Sequence, residues 1–425
     1  MTHSPKSRTV LFDHDGGVDD LLSLMMLLAM SHIELAGIVV TPADCFLRPA
    51  VSASLKILRF FDRLHIELGE GTLHGVNSFP RAWRAHAYAI DALPILNEIK
   101  TTETDRLSVD NDAQPDRLTG RLKSPSELGG LEKQIQPAPG EDFEALNQRL
   151  QHRLITALDP AMHGSRVDDI QRTLRSLFER VLAQENIILS RTERERLFKA
   201  LTTDVLANLG GVLPAPVAEP GHEFLARKLR EASHPLTILI TGPVSNLAVA
   251  LESEPELASN IEEVVWMGGA LGVPGNVRDY EHDGSAEWNA YWDPPATHSL
   301  WQSEAPITLF SLDTTNHVRV KMDFLFRLAQ QRRYLVSDLA GQCWALTVGT
   351  ISSDDYTYFM WDTLTTGYLG APQHITFRQA RTQVMSQGPS AGRIKEVTTG
   401  GKLVRVAETV DIAGFQAYLL GLFRR

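Results

Sequence analysis

Two cysteines, Cys45 and Cys343, are all that this chain of 425 residues contains. Two thiols cannot build a disulfide framework, so a reducing, cytoplasmic setting is the simple expectation. Basic charge is also scarce: 41 lysines and arginines stand against 52 aspartates and glutamates, for a net charge of -11. A general nucleic-acid binder needs a basic surface, so no nucleic-acid partner is expected. Long hydrophobic runs are missing as well. LLSLMMLLAM, Leu21 to Met30, is too short to cross a bilayer and is opened by Asp19 and Asp20. It reads as a core helix, and no membrane partner is expected. The start, MTHSPKSR, is polar and leads straight into an apolar strand, unlike a signal peptide. The remainder, 43% hydrophobic and 22% charged, has the composition of a globular protein. Its length suggests one large domain, or one domain with an insert.

The first part of the chain alternates. TVLFD (Thr9 to Asp13) reads as a buried strand, Asp19 to Met30 as a helix, and ELAGIVVT (Glu34 to Thr41) as a second strand. Ala50 to Leu64 has helical spacing, and IELGEG follows as a third strand. The pattern resumes with TILITG (Thr237 to Gly242), the helical VSNLAVALE, and the apolar strands EEVVWMGG and PITLFSLD. This alternation implies an α/β fold: an open, mostly parallel, Rossmann-like sheet flanked by helices. Residues 1–99 and 221–425 are assigned to that domain. Residues 100–220 are read as a polar linker followed by a helical insert, in which Leu174, Leu177, Val181 and Leu182 share one face.

In open α/β sheets, ligands bind at the carboxyl ends of the strands. The segment LFDHDGGVDD lies at such an end and crowds Asp13, Asp15, Asp19 and Asp20 into eight residues. Acids at a helix start can cap amides and suit the helix dipole, which accounts for one or two of them. It does not account for Asp13 and Asp15 at the strand end. No Lys or Arg lies between Arg8 and Arg48 to offset the charge. Clustered carboxylates without a basic partner raise one another's pKa values and invite a cation. Oxygen donors suit a hard divalent ion, Ca²⁺ or Mg²⁺, rather than zinc. Gly16 and Gly17 let the chain bend so that Asp15 and Asp20 can face one ion. A rival reading takes FDHDGGVDD as the start of a haloacid-dehalogenase-type phosphatase, with Asp13 as nucleophile. That chemistry needs a downstream lysine at a strand end, and none stands out.

Further segments follow in order: VVTPADCF, VNSFPRAWR, ITGPVSNLA, VVWMGGA, PGNV, GSAEWNAYWDP and FMWDTLTTGYL. Together with the aspartate cluster they resemble the nucleoside hydrolases, and more narrowly the purine-preferring inosine–adenosine–guanosine branch. The likeness covers about Arg8 to Ile99 and Pro235 to the C-terminus. It implies a nucleoside hydrolase fold, a homodimer, and a role in nucleoside catabolism and purine salvage. It also implies a Ca²⁺ ion held by Asp15, Asp20, Asp362 and the backbone carbonyl of Thr241. Asp15 would then be the general base for a water that attacks the anomeric carbon. Asp19, Asn276, Glu287 and Asn289 match ribose-binding positions, although singly such residues often serve turns or caps. Trp83 and Trp361 match two tryptophans that sandwich the purine, Trp361 standing where other branches carry a proton-donating histidine. Asp44 matches a nucleoside contact.

Departures are visible. Gly17 stands where the close branch often has Asn, and the insert is longer than the family pattern. His14, His32, His65, His74 and His282 read as structural or surface residues, with His74 and His282 in loops that could border the pocket. The expected activity is Ca²⁺-dependent hydrolysis of the N-glycosidic bond of purine ribonucleosides. A nucleoside-binding protein without turnover, with the insert as an interaction module, is the alternative of a different class.

Overall fold

The computed structural model describes residues 7–97, 213–350 and 358–425, together with Arg175, Phe178, Glu179 and Phe198. The chain divides into two compact units, one made of Met1–Leu96 with Leu213–Arg425 and the other of Asn97–Val212. The first unit is built on ten strands: β1 (Arg8–His14), β2 (Ile33–Val40), β3 (Leu68–Glu70), β4 (Val217–Pro220), β5 (Leu236–Ile240), β6 (Ile261–Met267), β7 (Ile307–Phe310), β8 (Ile375–Val384), β9 (Ile394–Glu396) and β10 (Lys402–Val410). They form one sheet in the order β4-β3-β2-β1-β5-β6-β7-β10-β8-β9. Pairing is parallel from β4 to β10. The β10–β8 and β8–β9 pairs are antiparallel.

The inner strands are short apolar runs because both faces of the sheet are covered. On β1, Val10 and Phe12 join one core cluster while Leu11 joins the other. On β5 the same alternation sends Leu239 one way and Ile238 and Ile240 the other. Helix α1 (Val18–Ala29) is apolar nearly all round and is buried along almost its whole length. It packs beside helix α2 (Leu47–Phe60) and against the helix Trp361–Gly370. After β1 the chain winds outward through β2 and β3, then returns to lay β5 on the opposite side of β1. The strand order therefore reverses between β1 and β5, and ligand crevices open at that kind of switch point.

Two features lie outside the sequence reading. Residues 217–220 were assigned to the tail of the insert, yet they add β4 to the sheet edge through pairing with β3. The antiparallel β8–β10 group was not anticipated at all. The helices expected between 143 and 209 lie outside the described residues apart from Arg175, Phe178, Glu179 and Phe198, where Phe178 packs on Phe198 with ring centroids 5.3 Å apart. Among the described residues, no helix is long and apolar enough to cross a membrane.

Candidate active site

The aspartate loop leaves β1 at the switch point. Gly16 adopts φ +77°, a left-handed conformation that glycine takes without penalty. A Cβ there would sit 2.5 Å from the Ala50 Cβ, so packing against α2 also demands glycine. Gly17 precedes α1, and its N–H donates to Asp20 Oδ2 at 2.8 Å, so Asp20 closes the first turn of the helix. The chain after β5 closes on this loop from the other side. Thr241 N–H donates to the Asp13 carbonyl at 3.0 Å, and a Cβ on Gly242 would fall 2.8 Å from the Asp15 Cβ. The helix Trp361–Gly370 brings the last acid: Asp362 N–H donates to Asp19 Oδ2 at 3.2 Å.

Carboxylate oxygens of Asp19, Asp20 and Asp362 lie within 4.8 Å of one another, and all three residues are buried. Asp15 stands beside this trio, hydrogen-bonded to Asp20 and accepting from the Asp44 N–H at 3.3 Å. Thr241 presents its hydroxyl to Asp20, while its carbonyl accepts from Asn289 Nδ2 at 2.9 Å. The structure thus gathers Asp15, Asp20, Thr241 and Asp362, expected around one ion, and draws Asp19 into the tightest group.

Among the described residues no Lys or Arg pairs with Asp15, Asp19, Asp20 or Asp362. The electrostatic result is large. Burial pushes Asp20 up to about 7, with the Asp19 charge adding to the effect. Burial also raises Asp15 well above the carboxylate range, reinforced by Asp20 and Asp44. Asp362 is raised well above it by burial, then by Asp19 and Asp20. A buried, oxygen-only donor set that cannot hold its own negative charge fits a hard divalent cation, which would reverse these shifts.

Asp13 plays another part. It is fully buried, and its two oxygens accept from Thr41 Oγ1 at 2.8 Å and Asn246 Nδ2 at 3.0 Å. It ties β1, the end of β2 and the helix Ser245–Ser253 together. Its carboxylate is unavailable to attack phosphorus, so the phosphatase reading loses its nucleophile. His14 is likewise internal: it stacks on Phe12, takes the Gly16 N–H on Nδ1, and burial lowers it to about 3.

Of the expected sugar-facing residues, Asp19 lies at the start of α1, while Asn276, Glu287 and Asn289 all lie in the connection between β6 and β7. Glu287 caps the helix Trp288–Trp292, accepting from Asn289 N–H at 2.8 Å and Ala290 N–H at 3.3 Å, and it also takes the Gly269 N–H at 2.9 Å. The capping role is therefore real: Oε2 takes two N–H groups, while Oε1 takes one and keeps a lone pair. Burial raises Glu287 to about 7. Asn289 Nδ2 bridges the Thr241 and Met267 carbonyls at 2.9 and 3.1 Å, locking the loops after β5 and β6. Asn276 Oδ1 accepts from Trp288 N–H at 3.1 Å.

The two tryptophans sit in different apolar clusters. Trp83, on the short helix Arg81–Arg84, packs edge-on to Trp288 at 5.8 Å beside Phe79, Ala43 and Val277. Trp361 packs on Met267, Ala270 and Leu312, and its Nε1 donates to Asn316 Oδ1 at 2.9 Å. Both are half-buried. Partly buried Asp44 lies near Arg84, which opposes the upward push of burial, Asp20 and Asp19. A side chain at Gly17 would begin 2.9 Å from Asp20 Oδ2 and 3.4 Å from Asp44 Oδ2, so the carboxylates already fill that space.

Two contacts escaped sequence reading. Tyr358 donates its hydroxyl to Asp19 Oδ1 at 2.7 Å, and Asn316 orients Trp361. Tyr358 stands immediately before the FMWD motif, which was its one available signal. Asn316 carries no local pattern that marks it.

Comparison with known proteins agrees with this architecture. A family described as inosine-uridine preferring nucleoside hydrolase matches residues 10–417. A crystal structure of such an enzyme from Bacillus anthracis is 30% identical, with a TM-score of 0.68, and the alignment covers 98% of this chain and 99% of that one. The purine-preferring ribonucleoside hydrolase from Gardnerella vaginalis, at 19% identity and a TM-score of 0.57 over 98% and 99% of the two chains, shares the fold. The pyrimidine-specific ribonucleoside hydrolase RihA of Escherichia coli is 39% identical over 118 residues. That match spans 27% of this chain and 36% of the relative's length. With the sheet, the buried acids and a match across almost the whole chain in place, the protein belongs to the inosine-uridine preferring nucleoside hydrolase family.

Proposed function

We propose that the protein is a Ca²⁺-dependent nucleoside N-ribohydrolase that prefers purine ribonucleosides and releases free base and ribose. The observation that carries this reading is the buried acid cluster: Asp19, Asp20 and Asp362 with oxygens within 4.8 Å, and Asp15 bonded to Asp20. In this reading Asp15, Asp20, Asp362 and the Thr241 carbonyl hold the ion. When bound, a divalent cation supplies positive charge that makes a neighbouring water easier to deprotonate and keeps the acids ionised.

The chain's own residues do the rest. Asp15 accepts the proton of the attacking water. The surrounding carboxylates stabilise the positive charge that develops on the ribose ring as the glycosidic bond breaks. Asp19, Asn276, Glu287 and Asn289 hold the sugar hydroxyls, each already fixed by a hydrogen bond to a neighbouring residue. Trp83 and Trp361 stack on the base, with Asp44 nearby. Base–aromatic stacking contributes roughly 1–3 kcal/mol per base. Stacking favours two fused rings over one, and a purine offers N7 to take a proton without a side-chain acid. These features support the purine preference.

A pyrimidine preference is the second reading, favoured by the 39% identity to pyrimidine-specific RihA. Base release measured on inosine, adenosine, guanosine, uridine and cytidine separates the two. Absence of release on all five, with binding retained, would leave the nucleoside-binding alternative. The homodimer and the cytoplasmic setting belong to the same proposal. Sedimentation analysis tests the first, and the buried thiols Cys45 and Cys343 suit the second.

A further inference from the structure

Asn276 and Glu287 stand on either side of one loop. Its neck is closed by backbone, because the N–H groups of Asn276 and Val277 both donate to the Ala286 carbonyl, at 3.0 and 3.3 Å. A Cβ on Gly275 would fall 1.9 Å from that oxygen, so the neck closes only around glycine. The body of the loop does not hang in solvent. It is docked on the turn that joins β8 to β9. Asp283 N–H donates to the Pro389 carbonyl at 2.8 Å, and the Asp283 carboxylate takes the hydroxyls of Ser285 and Ser390. His282 Nε2 bonds the Ala391 carbonyl at 2.9 Å, and its Nδ1 takes the Gly284 N–H at 3.0 Å, which fixes the proton on Nε2.

The same turn presses on the residues behind the sugar-facing set. A Cβ on Gly392 (φ +82°) would lie 2.7 Å from the Tyr291 Cα, and the Ile394 side chain meets Gly269, whose N–H holds Glu287. Tyr291 belongs to the helix that carries Asn289. Its ring meets His282 edge-on at 4.7 Å, and its hydroxyl returns to Asp279 Oδ2 at 2.9 Å within the loop. The His282 side chain is only 3% exposed. It touches the loop, the hairpin and the helix at once.

We propose that the β8–β9 hairpin is a positioning element for the sugar-facing residues, and that His282 is its positioning residue. Through Ala391 and Tyr291 it fixes the separation of Asn276 from Glu287 and Asn289. The effect on catalysis rests on the reading of those three residues as ribose partners; the mechanical linkage does not.

The test compares His282→Leu, which removes both ring-nitrogen bonds, with His282→Gln, which retains one donor and one acceptor. Two readouts are taken on the full chain with Ca²⁺. In His282→Leu, amide hydrogen exchange at 276–277 and 288–291 accelerates about tenfold or more, while β1 and β5 are unchanged. The preference for inosine over its deoxy analogues falls about tenfold, mainly through a higher KM for inosine. His282→Gln restores most of both. Unchanged exchange in His282→Leu overturns the proposal. So does a Gln variant as impaired as Leu, because ring bulk rather than hydrogen bonding would then be responsible. If His282→Leu does not fold, Ser390→Ala with Asp283→Asn is judged by the same exchange criterion. Failure of the unmodified protein to bind or cleave any nucleoside defeats the functional reading alone, and the exchange arm still decides the linkage.

Discussion

Removing a buried acid from the cluster should stabilise this protein once its metal is stripped. Asp20 is the residue to change. It is 1% exposed, and in the metal-free fold burial raises its pKa from 3.8 to about 7. The sign follows from linkage. A carboxyl whose folded pKa lies above its unfolded value helps folding below pH ~4, and loses that contribution as pH climbs from ~4 through ~7. A displacement of about three units corresponds to roughly 4 kcal/mol at pH 8, at about 1.36 kcal/mol per unit. Asp20→Asn removes the charge but retains an acceptor for Gly17 N–H, while the Thr241 hydroxyl can reverse to accept. In chelator at pH 8 the variant should therefore melt higher than the unmodified protein, by roughly 4–5 °C for a chain of this size. At pH 4.5 the two should nearly coincide. Adding Ca²⁺ closes the gap: the unmodified protein gains about 2.7 kcal/mol at a hundredfold excess over Kd and about 4.1 kcal/mol at a thousandfold excess, while the variant gains little. Differential scanning fluorimetry across pH, with and without Ca²⁺, reads all of this. A chelated Asp20→Asn protein that melts lower at pH 8, or that keeps the full Ca²⁺ response, refutes the reasoning.

Other outcomes follow from the same geometry. Asp15→Asn should lower inosine turnover by more than about a thousandfold while weakening binding far less, and single-turnover kinetics beside equilibrium titration would show a general base only in that pattern. Inosine should exceed 2′-deoxyinosine in kcat/KM by at least about a hundredfold, since a site built to bond a hydroxyl rejects the analogue lacking it; near-equal rates contradict the sugar assignments. Trp361→Ala should slow inosine strongly but p-nitrophenyl riboside much less, and equal losses would reduce Trp361 to a shaping role. At pH ~4, where the raised Asp13 carboxyl carries no charge penalty, Asp13→Ala should destabilise the fold by about 1–3 kcal/mol, because the Asn246 amide and Thr41 hydroxyl each lose an acceptor and keep only their bond to each other, which denaturant melts can measure.

Much of the parallel sheet could be read in advance because its information is local. Strands β1, β2, β5, β6 and β7 are apolar runs ended by polar or glycine residues, and the acids at the end of β1 advertise themselves by charge density. The antiparallel β8–β10 group could not be read so easily. On β8 buried and exposed residues alternate only over its second half, and Arg378, Arg381 and Arg405 dilute the apolar signal. The short β4 has no hydrophobic pattern, since it forms a sheet edge with Ala218 exposed. Within the site, chemistry was legible and partnership was not. Asp13 and Asp15 look alike in sequence, but β-strand alternation points Asp13 toward Thr41 and Asn246, while Asp15 lies beyond the strand end. Asn316 and Tyr358 matter through contacts that only the folded chain creates.

The pairing of Asp19 with Asp362 spans 343 positions of sequence. A ribosome adding about 5–20 residues per second takes roughly 20–70 s to make that stretch. Throughout that interval Asp15, Asp19 and Asp20 exist without the fourth acid or the helix that seats it. A partly made chain therefore offers a hydrated, open cluster with weak hold on any cation. Capture of an ion would then be one of the last events of biogenesis, waiting on Asp362 and its helix, and the sheet itself is complete only once β10 has followed.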